Sequence, residues 1–162
     1  MTGIKKFVYT KDKIIKIMKA LCDEYKLNVY ICDNKNYADK KGWDYNCAFC
    51  VGNSIFISYF EPNRSLEYKL ISFFHEFSHC ILSDKIPFAI EGYRCNDTSD
   101  MQYEIWITML GLEFAKSKGI VFSDDAVKWL INQAFTYCKK ENLTITNHKI
   151  SDSEYWITQE TI

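Results

Sequence analysis

LEYKLISFFHEFSHCIL, residues 66–82, is the stretch on which the reading of this chain turns. At 100° per residue, Leu66, Leu70, Phe73, Phe77, Cys80 and Ile81 share one side of a helix. Tyr68, Ser72, His75 and His79 fall within about 60° of each other on the other side. Asn63 or Ser65 can cap such a helix, and Glu67 suits its first turn. Inside it, His75, Glu76 and His79 spell HExxH. Four residues is about 40° past a full turn, so both imidazoles leave one face and can hold one zinc ion, with Glu76 beside them to act on a bound water. By composition alone the pattern arises in a chain of this length less than about 1% of the time.

A hydrolytic zinc site needs a third protein ligand and an open position. No third His follows closely, so the candidates are acids: Asp84, Glu91, Asp97, Asp100, Glu104 and Glu113. Glu104 stands out because the residues after it, IWITMLGL, are apolar nearly all round, and a helix of that kind is buried. A carboxylate there is costly unless it is paired or ligates a metal. Asp97, Asp100, Thr108, Gly111 and Ala115 lie on the Glu104 side within about 40°, a polar and small-residue strip suited to close approach by another helix. Asp100, one turn earlier, and Thr108, one turn later, are the candidates to orient the ligands.

Working outward, residues 11–26 carry Ile14, Ile15, Met18, Leu21, Cys22 and Tyr25 at helical spacing, and 28–32 (NVYIC) reads as a strand. Residues 33–42 read as a loop. Residues 43–51 and 54–60 read as two strands turned at Gly52 and Asn53. After 66–82, a loop with Pro87 and Gly92 leads to a cap cluster at 96–99 and a helix to about Lys118, ended by Gly119. Ser123 can cap a further helix to about Glu141. The tail from Leu143 has no clear period. With no repeat and no linker, the 162 residues read as one domain: 1–62 a helix with a small sheet, 63–121 the metal-site helices, 122–162 a C-terminal helix and tail.

Composition limits what else the chain can be. Forty-eight per cent hydrophobic residues, with 11 Phe, 11 Tyr and 4 Trp against 6 Gly and 2 Pro, supply a packed core and exclude a disordered or collagen-like chain. The net charge of −1 gives no basis for direct nucleic-acid binding, although residues 1–41 carry +5 and the remainder −6. The basic end reads as a solvated helix face, with a docking surface for an acidic partner as the alternative. Lysines occupy the place where a signal peptide needs its apolar stretch, and no run is long enough to span a membrane, so a cytoplasmic protein is expected. Seven cysteines read as reduced thiols rather than a disulfide framework; Cys47 and Cys50 form the one CxxC, and in a strand their spacing puts them on opposite faces.

The expected chemistry is amide hydrolysis: Glu76 takes a proton from the attacking water and delivers it to the leaving amine. Residues 54–60 could hold an extended peptide as an added strand, with Ile55, Ile57 and Tyr68 as substrate contacts. Tyr68, Tyr93, Tyr103, Arg94 and His148 are the groups from which an oxyanion partner could come.

The order strand, polar turn, HExxH helix, loop and Glu-bearing helix resembles the ImmA/IrrE family of metallo-endopeptidases. The likeness is carried by Asn53 to Ser58, by Phe73 to Leu82, and by Glu104 with Leu110 and Gly111, about 60 residues in all. In that pattern His75 and His79 match the zinc-binding histidines, Glu76 the catalytic glutamate and Glu104 the third ligand. The chain departs from it with Ile107 and Thr108 where the family commonly has Ala-Asn, and with Phe77 and Ser78 inside the motif. The resemblance implies an α+β, minimal zincin-like domain, a small antiparallel or mixed sheet packed on a helical bundle with HExxH on the central helix. It implies one zinc per chain and a protein or peptide substrate, in studied members a DNA-binding repressor, in proteins often encoded by mobile elements. Three other readings stay open: a catalytically silent binding module on the same fold, a mobile-element toxin or anti-defence factor, and a redox regulator acting through Cys47 and Cys50. Oligomeric state is not legible.

Overall fold

Thr10 starts the first helix, α1 (Lys11–Glu24), by accepting a hydrogen bond from the Lys13 amide at 3.2 Å, and Ile14, Ile15, Met18, Leu21 and Cys22 form its buried stripe. The chain leaves it through Lys26, at φ 57°, a left-handed residue of the kind that ends helices. The computed structural model describes residues 9–32, 34–41, 48–58, 66–82, 98–138 and 157–158. They form an α+β fold, mostly helical with one small mixed sheet.

Strand β1 (Asn28–Ile31) runs parallel to β3 (Ser54–Ile57), which pairs antiparallel with β2 (Ala48–Val51). A two-residue strand, β4 (Ile157–Thr158), adds antiparallel to β1, giving the order β2-β3-β1-β4. The β2–β3 hairpin turns at Gly52, whose φ of 57° is open to glycine at little cost. Alternation then sorts the two faces. Val29, Ile31, Ile55 and Ile57 enter the main core, with Ala48 and Cys50 packed beside them. On the other face Tyr30, Phe56 and Phe49 stack across three strands, with ring centroids 5.0 and 4.8 Å apart.

Two expectations need correction. Residues 33–42 are not all loop, because α2 (Lys35–Lys41) forms there, capped by Asn34 Oδ1 on the Tyr37 amide at 2.9 Å and braced by a Lys35–Asp39 pair at 2.7 Å. Among its described side chains Tyr37 is the one packed against a core cluster, so no apolar period announces it. The second concerns residues 54–60: β3 is paired on both sides and cannot accept an added strand, and Ile55 and Ile57 are fully buried. Among the described strands the edges are β2 and the two-residue β4.

The central helix α3 (Leu66–Ile81) is covered nearly all round, with Leu70, Ile71, Phe73, Phe74 and Phe77 all buried. Each such side chain contributes about 1.5–3 kcal/mol on transfer from water. The face bearing His75 and His79 meets α4 (Thr98–Ser117), which packs along it. Gly111 is where the helices come closest: a Cβ there would lie 2.6 Å from Ser78 Oγ and 3.0 Å from the Phe74 carbonyl oxygen. Gly119, at φ 81°, ends α4, and Ser123 caps α5 (Asp124–Cys138) through the Ala126 amide. Glu67 accepts from the Ser123 amide at 2.6 Å and so ties the start of α3 to the start of α5. No helix among the described residues is long and apolar enough to cross a membrane.

Candidate metal centre

Helix periodicity presents His75 and His79 one turn apart on α3, and the close approach at Gly111 brings α4 against that face. Glu104 projects from α4 into the gap, 4% exposed. Its Oε2 lies 2.8 Å from His75 Nε2 and 3.4 Å from His79 Nε2, and the two Nε2 atoms are 3.2 Å apart. The imidazole rings stand at 79° to each other, so their Nε2 atoms converge on one point.

These separations test the fit of a metal directly. Tetrahedral zinc with bonds of about 2.0–2.1 Å to N and O places its ligand atoms about 3.3–3.4 Å apart. A triangle with edges of 2.8, 3.2 and 3.4 Å is close to one face of that tetrahedron. Two imidazoles and one carboxylate are also the donor set of hydrolytic zinc centres, three protein ligands with a fourth position left for water or substrate. His75, His79 and Glu104 are the one group of this kind among the described residues.

The surroundings complete the arrangement. Thr108 Oγ1 lies 3.1 Å from His75 Nδ1, so that with a metal ion bound a proton on Nδ1 donated to Thr108 would leave the Nε2 lone pair for the ion. Burial pushes the Glu104 carboxyl up, but the charges and hydrogen bonds of His75 and His79 outweigh it and hold the group well below the usual carboxylate range. Ser72, one turn before the histidines, donates to the Tyr68 carbonyl at 2.8 Å and keeps its bulk out of the cluster.

Glu76 is only partly buried, and one turn on from it Cys80 Sγ lies 3.7 Å from the Gly52 carbonyl oxygen of the hairpin. The neighbouring Cys80 thiol, burial and the Glu76 charge push the Cys50 thiol well above its ordinary range, whereas the influence of Cys50 lowers Cys80. Spacing along the chain had linked Cys50 with Cys47. The fold packs β2 on α3 instead, so that Cys50 and Cys80, thirty positions apart, border the same core.

Other candidates stand apart from the cluster. Ile55 and Ile57 are core residues, and Tyr68 stacks on Trp129 of α5 with centroids 4.8 Å apart. Glu113 is exposed on α4. Asp100 and Tyr103 lie on the early turns of α4, with their side chains outside the described ones. Cys47, Asp84, Glu91, Tyr93, Arg94, Asp97 and His148 lie outside the described residues. No protein-family model matches this chain, and searches of curated proteins and of solved structures find no match either.

Proposed function

We propose that this chain is a zinc-dependent metallo-endopeptidase of zincin type, with His75, His79 and Glu104 as ligands, Glu76 as general base and a protein or peptide as substrate. The observation that carries the reading is the convergence, within 3.4 Å of each other, of two Nε2 atoms from the helix that bears Glu76 and one carboxylate oxygen from α4. A zinc ion held there would supply Lewis acidity to a carbonyl group and to water.

The chain's own residues do the rest. Glu104 and Thr108, both buried on α4, fix the imidazoles from opposite sides of His75. Glu76 takes the proton of the attacking water and returns it to the nitrogen of the departing amine, a role open to a carboxylate that is only partly buried. The outer side of β2 has no strand partner among the described residues, so an extended peptide can add there and present its carbonyl beside α3. The resemblance to the ImmA/IrrE family favours a repressor encoded nearby as the natural substrate.

The test is metal analysis of the purified protein together with hydrolysis of β-casein, an unstructured protein. One zinc per chain, and casein cleavage lost in Glu76→Gln with the zinc retained, support the reading. Absence of stoichiometric zinc overturns it. Equal cleavage by wild type and Glu76→Gln removes Glu76 from the chemistry and favours a silent binding module on the same fold.

A further inference from the structure

The face of α3 that bears the histidines continues beyond them toward the start of the helix. Tyr68, Ser72, His75 and His79 lie within about 60° of each other around the axis. Tyr68 precedes His75 by seven positions, a rise of about 10 Å along the helix. Between them Ser72 is buried and turns its hydroxyl back onto the Tyr68 carbonyl at 2.8 Å, so α3 raises no long side chain between the imidazoles and the tyrosine ring.

Tyr68 meets Trp129 of α5 in a near-parallel stack, with centroids 4.8 Å apart and planes at 10°. Both rings back onto the main core and are only partly buried. The Tyr68 hydroxyl and the Trp129 indole N–H make no hydrogen bond among the described residues, and neither is enclosed, so both donors reach solvent. A flat apolar wall with two unused donors at its rim combines burial for a side chain with polar groups for a main chain.

We propose that Tyr68 and Trp129 form a specificity subsite that takes a large apolar or aromatic side chain of the substrate, on the third residue from the bond that is cut. The subsite rests on the peptidase reading and adds to it which sequences are chosen. An extended peptide advances about 3.3 Å per residue, so three residues span the rise from the histidines to the rings. Neither ring is near enough to act on the reacting atoms; the pair selects and holds. Glu67, next to Tyr68, is engaged with the Ser123 amide at 2.6 Å and so faces α5. Trp106 and Met109 are more exposed, but they stand about 140–160° round α4 from Glu104, away from the metal face.

The experiment reads cleavage and binding separately. The zinc-loaded chain digests β-casein, and the new termini are identified by mass. Large apolar and aromatic residues should be over-represented at the third position on one side of the cut. Trp129→Ala and Tyr68→Ala should keep one zinc per chain and lose that preference. For a peptide with Phe at that position they should raise KM about tenfold and leave kcat within about twofold. The same peptide with Ala there should be cut alike by all three proteins. If Trp129→Ala fails to fold by circular dichroism, Trp129→Leu keeps the bulk without the flat ring and takes its place. Binding is read in Glu76→Gln by fluorescence anisotropy of a short labelled Ala-Gly peptide carrying one Phe, against its all-Ala-Gly counterpart. The Phe peptide should bind about tenfold tighter, and the difference should vanish when Trp129→Ala is added. Cleavage preferences unchanged in both ring variants, or no difference in affinity between the two peptides, overturn the subsite. A wild-type chain that does not cleave casein counts against the peptidase reading instead, and the anisotropy comparison still decides the subsite.

Discussion

The seam between α3 and α4 is made of opposite materials at its two ends. Toward the start of α4 it holds Glu104 and Thr108 against His79 and His75, all polar and all largely removed from water. Toward its end it holds Phe114 against Phe77 and Phe74, with centroids 5.2 and 6.4 Å apart, and the fully buried Ala115. Gly111 lies between, where the backbones come closest. The aromatic end is stabilised by removal from water in any condition. The polar end holds a desolvated carboxylate that is tolerable only while both imidazoles face it, so removing one member leaves an uncompensated charge. The difference teaches where metal dependence should concentrate: substitutions at the polar end change what the protein binds, and those at the aromatic end change only how firmly it folds.

The largest effect should come from Glu104→Ala. Stoichiometric zinc and casein hydrolysis are both expected to be lost, and His75→Ala should behave alike, as read by metal analysis on purified protein. Zinc retained in Glu104→Ala would move the third ligand elsewhere and leave Glu104 as a buried ion-pair partner. Next comes Glu76→Gln, which keeps one zinc per chain and lowers the rate about 10²–10⁴-fold. The contrast separates a ligand from a base on adjacent residues of one helix.

Thr108→Val removes the acceptor of the His75 Nδ1 proton while keeping the shape of the side chain. Losing such an orienting bond lowers metal affinity by about 10–100-fold. Competition with a chelator of known affinity measures it, and Thr108→Ser should restore most of the loss. Equal affinities in wild type and Thr108→Val would show that packing alone orients the ring.

Much of this seam was legible before any coordinates. The HExxH spacing places both imidazoles on one face because helical geometry leaves no choice, and an acid in an otherwise apolar helix has few reasons to be there. The small-residue strip Thr108, Gly111 and Ala115 is read the same way. Less legible was what depends on pairing between distant segments. That Ser54–Ile57 is an interior strand follows from its parallel partner β1, and nothing local in the sequence chooses between parallel pairing and a free edge. α2 escaped because its seven residues, five of them polar or charged besides Tyr37 and Ala38, are stabilised by a cap and an ion pair and carry no apolar period. Cys80 was read as part of the apolar face of its helix, and its approach to the Gly52 carbonyl depends on how the hairpin lies across α3. The motif fixes chemistry through local geometry, whereas sheet order and the packing of the hairpin on α3 are tertiary facts.

The smallest effect on the metal should come from Gly111→Ala, which loads the middle of the seam. In an open helix the change would stabilise by about 0.5–1 kcal/mol. Here the new methyl meets Ser78 Oγ at 2.6 Å, and that hydroxyl is held by its own bond to the Phe74 carbonyl at 2.7 Å. The carbonyl itself, 3.0 Å away, belongs to the backbone and cannot rotate aside. Relief therefore requires the helices to part by a few tenths of an ångström, and overpacking of this kind costs about 1–3 kcal/mol. Urea denaturation of the metal-free protein should show the loss, with zinc affinity falling less than in Thr108→Val. Ser78→Ala removes the nearer obstacle, so the double variant should regain part of the stability that Gly111→Ala loses, a coupling that a double-mutant cycle reads directly. Strict additivity of the two substitutions would mean that the helices do not meet at this point, and the close approach that carries Glu104 to the histidines would need another source.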